Sequence, residues 1–204
     1  MKYIILSVSL LFNINIVAQI STFTELKAGM SVPGSKENVS DANQQGHTFG
    51  FDLGINFAED KSVGFSVNYT KNGFDSEVPL RKVLKKSNST EMLQGSASSI
   101  FSVGIITRAA NSTLMEFIHP YAKMFLGYSY ITVSGFENQS ASGIPLTQLN
   151  ENDFTAVFSL GLLVPVSESF SGFGIEGNYS IFVAEKDNKQ LLSFRFLYRQ
   201  NIEL

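Results

Sequence analysis

The sequence predicts an all-β protein: an eight-stranded antiparallel up-and-down transmembrane β-barrel following a cleaved signal peptide. Three observations predict it. The N-terminus has the basic, apolar and small-residue regions of an export signal. Apolar residues then recur at every second position in eight segments, each long enough for a tilted strand to cross a bilayer. The residues between them are mostly Gly, Ser and Asn, where the solvated face of a soluble sheet usually carries Lys, Glu and Thr.

Composition sets the frame. A chain of 204 residues is long enough for one domain with a sizeable interior. Charged residues are 16%, against roughly 25% in an average soluble protein, and 18 residues are Phe. A net charge of -3 implies neither a nucleic-acid partner nor an acidic tail. The chain has no Cys, which excludes disulfides, thiolate metal sites, Cys nucleophiles and a lipidated N-terminal Cys. Mean hydropathy is +0.08, and beyond the N-terminus no stretch approaches the ~20 apolar residues of a spanning helix.

Residues 1–18 are expected to form the signal peptide: Lys2, the apolar run 3–17, then Ala18 as a small residue for cleavage before Gln19. A first buried strand or a short anchor competes, but the run is short to span and is weakened by Asn13 and Asn15. Residues 19–204 are then one barrel domain. Strand 1 (about 22–32) sets Leu26, Ala28, Met30 and Val32 against Glu25, Lys27, Gly29 and Ser31. Strand 2 (48–57) sets Phe49, Phe51, Leu53, Ile55 and Phe57 against Thr48, Gly50, Asp52, Gly54 and Asn56. Strand 3 (about 62–72) sets Val63, Phe65, Val67 and Tyr69 against Gly64, Ser66, Asn68 and Thr70. Strand 4 (about 93–107) sets Ala97, Phe101, Val103 and Ile105 against Ser98, Ser102 and Gly104. Strand 5 (about 120–132) sets Ala122, Met124, Leu126, Tyr128 and Tyr130 against Lys123, Phe125, Gly127 and Ser129. Strand 6 (about 153–164) sets Phe154, Ala156, Phe158, Leu160 and Leu162 against Thr155, Ser159 and Gly161. Strand 7 (about 171–182) sets Phe173, Ile175, Tyr179 and Ile181 against Gly174, Glu176, Asn178 and Ser180. Strand 8 (about 189–199) sets Leu192, Phe194, Phe196 and Tyr198 against Ser193, Arg195 and Leu197.

Small polar residues suit the crowded interior of a narrow closed barrel, where eight strands leave just enough room for side chains. The Phe- and Leu-rich face then meets lipid, and closure leaves no unpaired strand edge in the hydrocarbon. Link lengths give an independent line. Links 1–2 (33–47), 3–4 (about 73–92) and 5–6 (about 133–152) are long and polar, whereas 2–3 (58–61), 4–5 (about 108–119) and 6–7 (165–170) are shorter. Short turns on the side of the termini and long loops opposite are the pattern of a membrane barrel. Link 4–5 is somewhat long for a turn, and link 7–8 (183–188) is short for a loop.

The stretches P-Y-A-K-M-F-L-G-Y-S-Y (120–130) and G-F-G-I-E-G-N-Y-S (172–180) resemble the glycine-punctuated strands of small eight-stranded outer-membrane proteins. These include the OmpA, OmpX and OmpW types and the PorT-like barrels of Bacteroidota, and the likeness of pattern covers residues 20–199. The resemblance implies a Gram-negative outer membrane with both termini periplasmic. It also implies lipid, possession of lipopolysaccharide contacts and the barrel assembly machinery as partners. One departure is the end of the chain. Such barrels commonly finish on an aromatic residue, whereas Tyr198 is followed by R-Q-N-I-E-L. Either Phe196 and Tyr198 serve that role internally, or strand 8 runs on, with Ile202 and Leu204 keeping its outward parity.

Function has to come from sites, because the fold hosts pores, anchors, adhesins and enzymes. Parity places Glu25, Lys27, Asp52, Lys123, Glu176 and Arg195 on the inner face, three of each sign. Strands 7, 8, 1 and 2 become neighbours on closure, so Glu176 can face Arg195, Arg195 can face Glu25, and Lys27 can face Asp52. Such a set is either a gated polar path or a paired network that plugs the lumen, and the narrowness of eight strands favours the plug. No catalytic, cofactor or metal residue is assigned. The only histidines are His47, with Ser40 and Asp41 upstream in its loop, and His119 beside Pro120. That spacing is poor for a lipid-modifying enzyme or a metal site. In the loop, Arg81, Lys82, Lys85 and Lys86 interleave with Val78, Leu80, Val83 and Leu84, as in a basic amphipathic turn. They fit anionic headgroups or are simply a solvated charge run. Tyr69, Tyr128, Tyr130, Tyr179 and Tyr198 are expected near strand ends as interfacial anchors. The leading functional expectation is an accessory, anchoring or secretion-related envelope barrel working through its loops, with an external protein partner of unknown identity. A narrow channel for small or apolar solutes and a lipid-modifying enzyme are the alternatives.

Overall fold

A computed structural model describes residues 21–33, 43–58, 60–74, 78–79, 92–94, 97–111, 117–134, 137–138, 148–166, 171–183 and 189–203. The expected signal peptide, and the loop residues Ser40, Asp41, Arg81, Lys82, Lys85 and Lys86, lie outside them. Eight long strands run in order: β1 (Ser21–Pro33), β2 (Asn43–Ala58), β3 (Lys61–Phe74), β4 (Ala97–Ala110), β5 (His119–Ser134), β6 (Gln148–Pro165), β7 (Gly172–Val183) and β8 (Lys189–Glu203). Each pairs antiparallel with its neighbour in sequence, and β8 pairs with β1 to close the barrel.

Alternation decides which way each side chain points. Phe65 is 68% exposed while its neighbours Gly64 and Ser66 are buried. Leu26, Phe51, Val103, Leu126, Phe158, Ile175 and Phe194 also point outward and are exposed. Closure abolishes the edges at which such a greasy sheet would aggregate, so the outer wall is a continuous apolar band. Register aligns aromatics on it: Phe49, Tyr69, Phe101 and Tyr130 stand in one row across β2 to β5. Tyr128 and Phe154 meet edge to face on β5 and β6, with ring centroids 5.8 Å apart.

The strands extend further than the alternation predicts at the end with long links. β2 begins at Asn43 and β6 at Gln148. The sequence there (N-Q-Q from 43, Q-L-N-E-N-D from 148) is mostly polar, so the period of two is lost before the apolar band begins. β8 likewise continues to Glu203 with Ile202 outward, so the strand runs on past Tyr198, and Leu204 lies outside the described residues. The predicted strand 4 is corrected at its start. Met92–Gln94 belongs to a separate three-stranded ladder with Val78–Pro79 and Glu137–Asn138, joining the 3–4 and 5–6 links. The barrel strand starts only at Ala97.

At the other end the links are short and tied. Ala110 N donates to Asp60 O at 2.7 Å, Asn111 N to Pro120 O at 2.8 Å, and Val166 N to Ser171 O at 2.7 Å. β4 runs to Ala110 and β5 starts at His119, which shortens the 4–5 link to residues 111–118. A register shift between Asn56 and Ala58 accompanies Phe57, which is half-buried where its parity predicts exposure.

The interior is stratified. Ile100, Ile131, Phe182 and Leu191 form an apolar layer toward the long links. Phe23, Ile106 and Phe125, with Val157, form a second. Tyr121, Leu163 and Leu197, with Ala110, form a third toward the short turns. Glycines make room for the rings. Gly54 and Gly64 are register partners, as are Gly104 and Gly127. A Cβ at Gly54 would come within 2.8 Å of the Phe23 ring, and one at Gly104 within 2.8 Å of Phe125.

Candidate functional site

One inner-face row runs through the register around the whole barrel: Ser31, Ser193, Asn178, Ser159, Lys123, Arg108, Ser62, Asn56 and Ser21. Lys123 stands on it as the hub of the lumen. Its Nζ donates to Glu25 Oε1, lies 3.2 Å from Asp52 Oδ2 and 3.1 Å from Glu176 Oε2. These three carboxylates come from β1, β2 and β7, so one side chain of β5 braces the barrel across its width. Glu25 and Asp52 are direct register partners. Two like charges so placed repel, and the ammonium between them turns the repulsion into a bridge.

The remaining cations complete the cluster. Lys27 Nζ lies 2.5 Å from Asp52 Oδ1 and 3.5 Å from Ser66 Oγ. Arg195 Nη1 is 3.8 Å from Glu176 Oε1 and donates to Asn68 Oδ1 at 2.8 Å. Tyr121 donates its hydroxyl to Glu176 Oε2 at 3.1 Å. Arg199 Nη1 lies 3.5 Å from Glu25 Oε2, and its Nη2 donates to Asn56 Oδ1 at 2.6 Å. All six side chains that parity assigned to the lumen are buried there. The expected contact between Arg195 and Glu25 is absent. Register puts Arg195 opposite Gly29, and Glu25 opposite Arg199, so a different arginine reaches Glu25.

Alternation missed three further charges. Arg108, Asp153 and Arg199 are buried on the inner wall, giving five cations against four carboxylates among the described residues in place of an even balance. Arg108 fell one residue past the predicted end of strand 4. Asp153 and Arg199 sat at the predicted limits of strands 6 and 8, where inward parity alone would have found them. Inward apolar residues were missed for a different reason: Ile100, Ile106, Ile131, Val157, Leu163, Phe182 and Leu191 share a parity with Ser and Thr, and no composition rule separates a filled layer from a lipid face.

Toward the long links the wall is hydroxylic. Ser102 and Ser129 Oγ lie 2.6 Å apart, Thr155 donates to Ser129 at 2.6 Å, Thr70 to Thr48 at 3.0 Å, and Ser31 to Asn72 Oδ1 at 2.6 Å. Between this wall and the charges lies a cavity of about 30 Å³, bordered by Lys27, Lys123, Glu176, Arg195, Phe125 and Phe182 among others. It is room for a water or two, far below the pore of a solute channel. His47 is exposed and stands opposite Met30 and Lys71 on the outer face, while His119 is buried opposite Leu163. The two histidines thus occupy opposite ends of the barrel, and among the described residues no three His, Asp or Glu gather into a metal-binding group. Of the expected anchors, Tyr69, Tyr128, Tyr130 and Tyr198 are exposed, and Tyr179 is half-exposed.

No protein-family model and no curated protein matches this chain. Among solved structures, Neisserial surface protein A matches with a TM-score of 0.56 at 12% identity, over 92% of this chain and 100% of that one. Ail of Yersinia pestis matches at 0.49 and 15% identity, over 90% of this chain and 100% of that one. OprG of Pseudomonas aeruginosa matches at 0.46 and 9% identity, over 91% and 99%. At such identities the likeness concerns architecture: the chain has the closed eight-stranded antiparallel fold of the small outer-membrane β-barrels.

Proposed function

We propose that this chain is an integral barrel of a Gram-negative outer membrane, both termini periplasmic, which serves as an anchoring or accessory envelope component through its long external links. The observation that carries the reading is the filling of the lumen. Among the described residues a cross-lumen cluster centred on Lys123 lies among three apolar layers, with a cavity of about 30 Å³ beside it. A barrel so filled offers no route for solutes, which moves its working surface to the loops. The continuous apolar outer wall supports the membrane location, since such a wall is stable only against lipid. Lipid is therefore the first partner, with the assembly machinery during insertion. Headgroup or lipopolysaccharide contact by Arg81, Lys82, Lys85 and Lys86, and a secretion-related role of the kind implied by the PorT-like resemblance, belong to the same proposal and rest on the sequence.

The test has two arms. Cell fractionation should place the protein in outer membranes, with unboiled and boiled samples migrating differently on a denaturing gel; recovery as a soluble periplasmic monomer without detergent overturns the location. In planar bilayers the purified protein should give no stable current. Large, steady conductance would replace the plug with the narrow-channel alternative.

A further inference from the structure

The charge cluster does not balance at the end of the barrel with short turns. Lys27, Lys123 and Arg195 each face a carboxylate, and Arg199 shares Glu25 with Lys123. Arg108 is the exception. It is 7% exposed, its Nε has no hydrogen-bond partner, and among the described residues it makes no ion pair. Its register partners are Ser62 on one side and the cation Lys123 on the other. Lys123 turns toward the three carboxylates and leaves Arg108 without a share in them.

What holds Arg108 in place is a ring. Its guanidinium carbon lies 4.1 Å above the centroid of Tyr121, and that of Arg199 lies 4.0 Å above Phe23. Arg199 donates to Asn56, which stands in the same register row as Ser62 and Arg108, so the two guanidiniums face the same end of the lumen. A guanidinium held over an aromatic ring still has N–H groups at its edge to donate. A buried cation without an ion pair is costly, and Arg108, with the second guanidinium of Arg199 on the same side of the lumen, presents charge-assisted donors suited to an oxygen anion.

The geometry points to a small-oxyanion site at the short-turn mouth of the lumen, with Arg108 as its principal ligand and Arg199 as its second, taking a free ion of the phosphate or sulfate class. Arg199 is already engaged with Glu25, Asn56 and, through Nε, Asn201, so it contributes charge more than new hydrogen bonds. Arg108, which has an unmet donor, contributes the bonds. Tyr121 links the site to the hub, because its ring carries Arg108 while its hydroxyl donates to Glu176.

The experiment uses the whole barrel refolded in detergent or nanodiscs. Inorganic phosphate is titrated while its ³¹P signal is followed, and thermal unfolding is recorded in phosphate and in chloride at matched ionic strength. The expected result is a saturable change in the phosphate line and a midpoint that rises with phosphate but not with chloride, as binding to the folded state alone requires. Arg108→Gln should weaken phosphate at least tenfold while keeping the unboiled gel shift of a folded barrel, and Arg108→Lys should fall between the two. Equal responses to phosphate and chloride in the unaltered protein overturn the site, as does an unchanged phosphate response in Arg108→Gln. If Arg108→Gln does not refold, the comparison of phosphate with chloride in the unaltered protein and the intermediate affinity of Arg108→Lys decide the matter.

Discussion

The two walls of the barrel are built from the same eight strands, yet they depend on different kinds of information. The outer wall is a field of interchangeable side chains: Phe51, Phe65, Phe158 and Phe196 each point outward and are exposed, and none requires a particular partner. The inner wall is a set of appointments. Lys123 matters because Glu25, Asp52 and Glu176 arrive at it from three other strands. The difference teaches that a narrow barrel separates a solvation problem, solved residue by residue, from a pairing problem that can be solved only by the whole ring.

The comparison can be broken most directly at the hub. Lys123→Met should be the most damaging single change, since it removes a shared partner from three buried carboxylates and leaves Asp52 with Lys27, Glu176 with Arg195 and Tyr121, and Glu25 with Arg199; losing one partner of a buried pair typically costs about 3 to 5 kcal/mol, and the loss should fall in that range. Urea unfolding in lipid, read by the gel shift, measures it. A smaller loss than that of Lys27→Met would remove Lys123 from the centre of the cluster. On the outer wall, Phe65→Arg or Phe51→Arg should cost about 2 to 4 kcal/mol near the bilayer midplane, and refolding in liposomes as well as the unaltered protein would reverse the assigned parity.

Next in size is the coupling of Arg195 with Glu176. Their double-mutant cycle with Ala should show a non-additive term of about 0.5 to 3 kcal/mol, toward the low end because Arg195 also leans on Asn68. Purely additive losses would show that the 3.8 Å separation carries no mutual stabilisation. A change of comparable size sharpens the contrast in packing. Gly54→Ala should cost about 1 to 3 kcal/mol by overfilling the lumen against Phe23, and pairing it with Phe23→Leu should restore part of the loss. An outward substitution of similar size, such as Ala28→Val, should be nearly neutral in the same unfolding assay.

The unequal legibility of the walls follows from the same contrast. Alternation placed Leu26 through Tyr198 on the lipid side and the six central charges within, because parity is a local property of each strand. It also located the strands to within a few residues wherever lipid touches them. It could not say that Glu25 meets Arg199, since that depends on the β1–β8 register, which no residue in either strand encodes alone. It passed over Ile106 and Val157, inward apolar residues that pack with Phe125. And it lost the strand starts at Asn43 and Gln148, where the sequence is mostly polar and carries no period of two.

The position of Lys123 has a consequence for the order in which the protein can be made. β1 and β2 form a hairpin close in sequence, but it sets Glu25 directly against Asp52 and includes only Lys27 to offset them. The second cation arrives from β5, and Arg199 arrives only when β8 joins β1. The repulsion in the first hairpin is therefore only partly offset until β5 arrives, and the set of partners is complete only when the last strand docks. The charge network is thus assembled by the ring as a whole, and a partial sheet lacks part of what holds the finished one together.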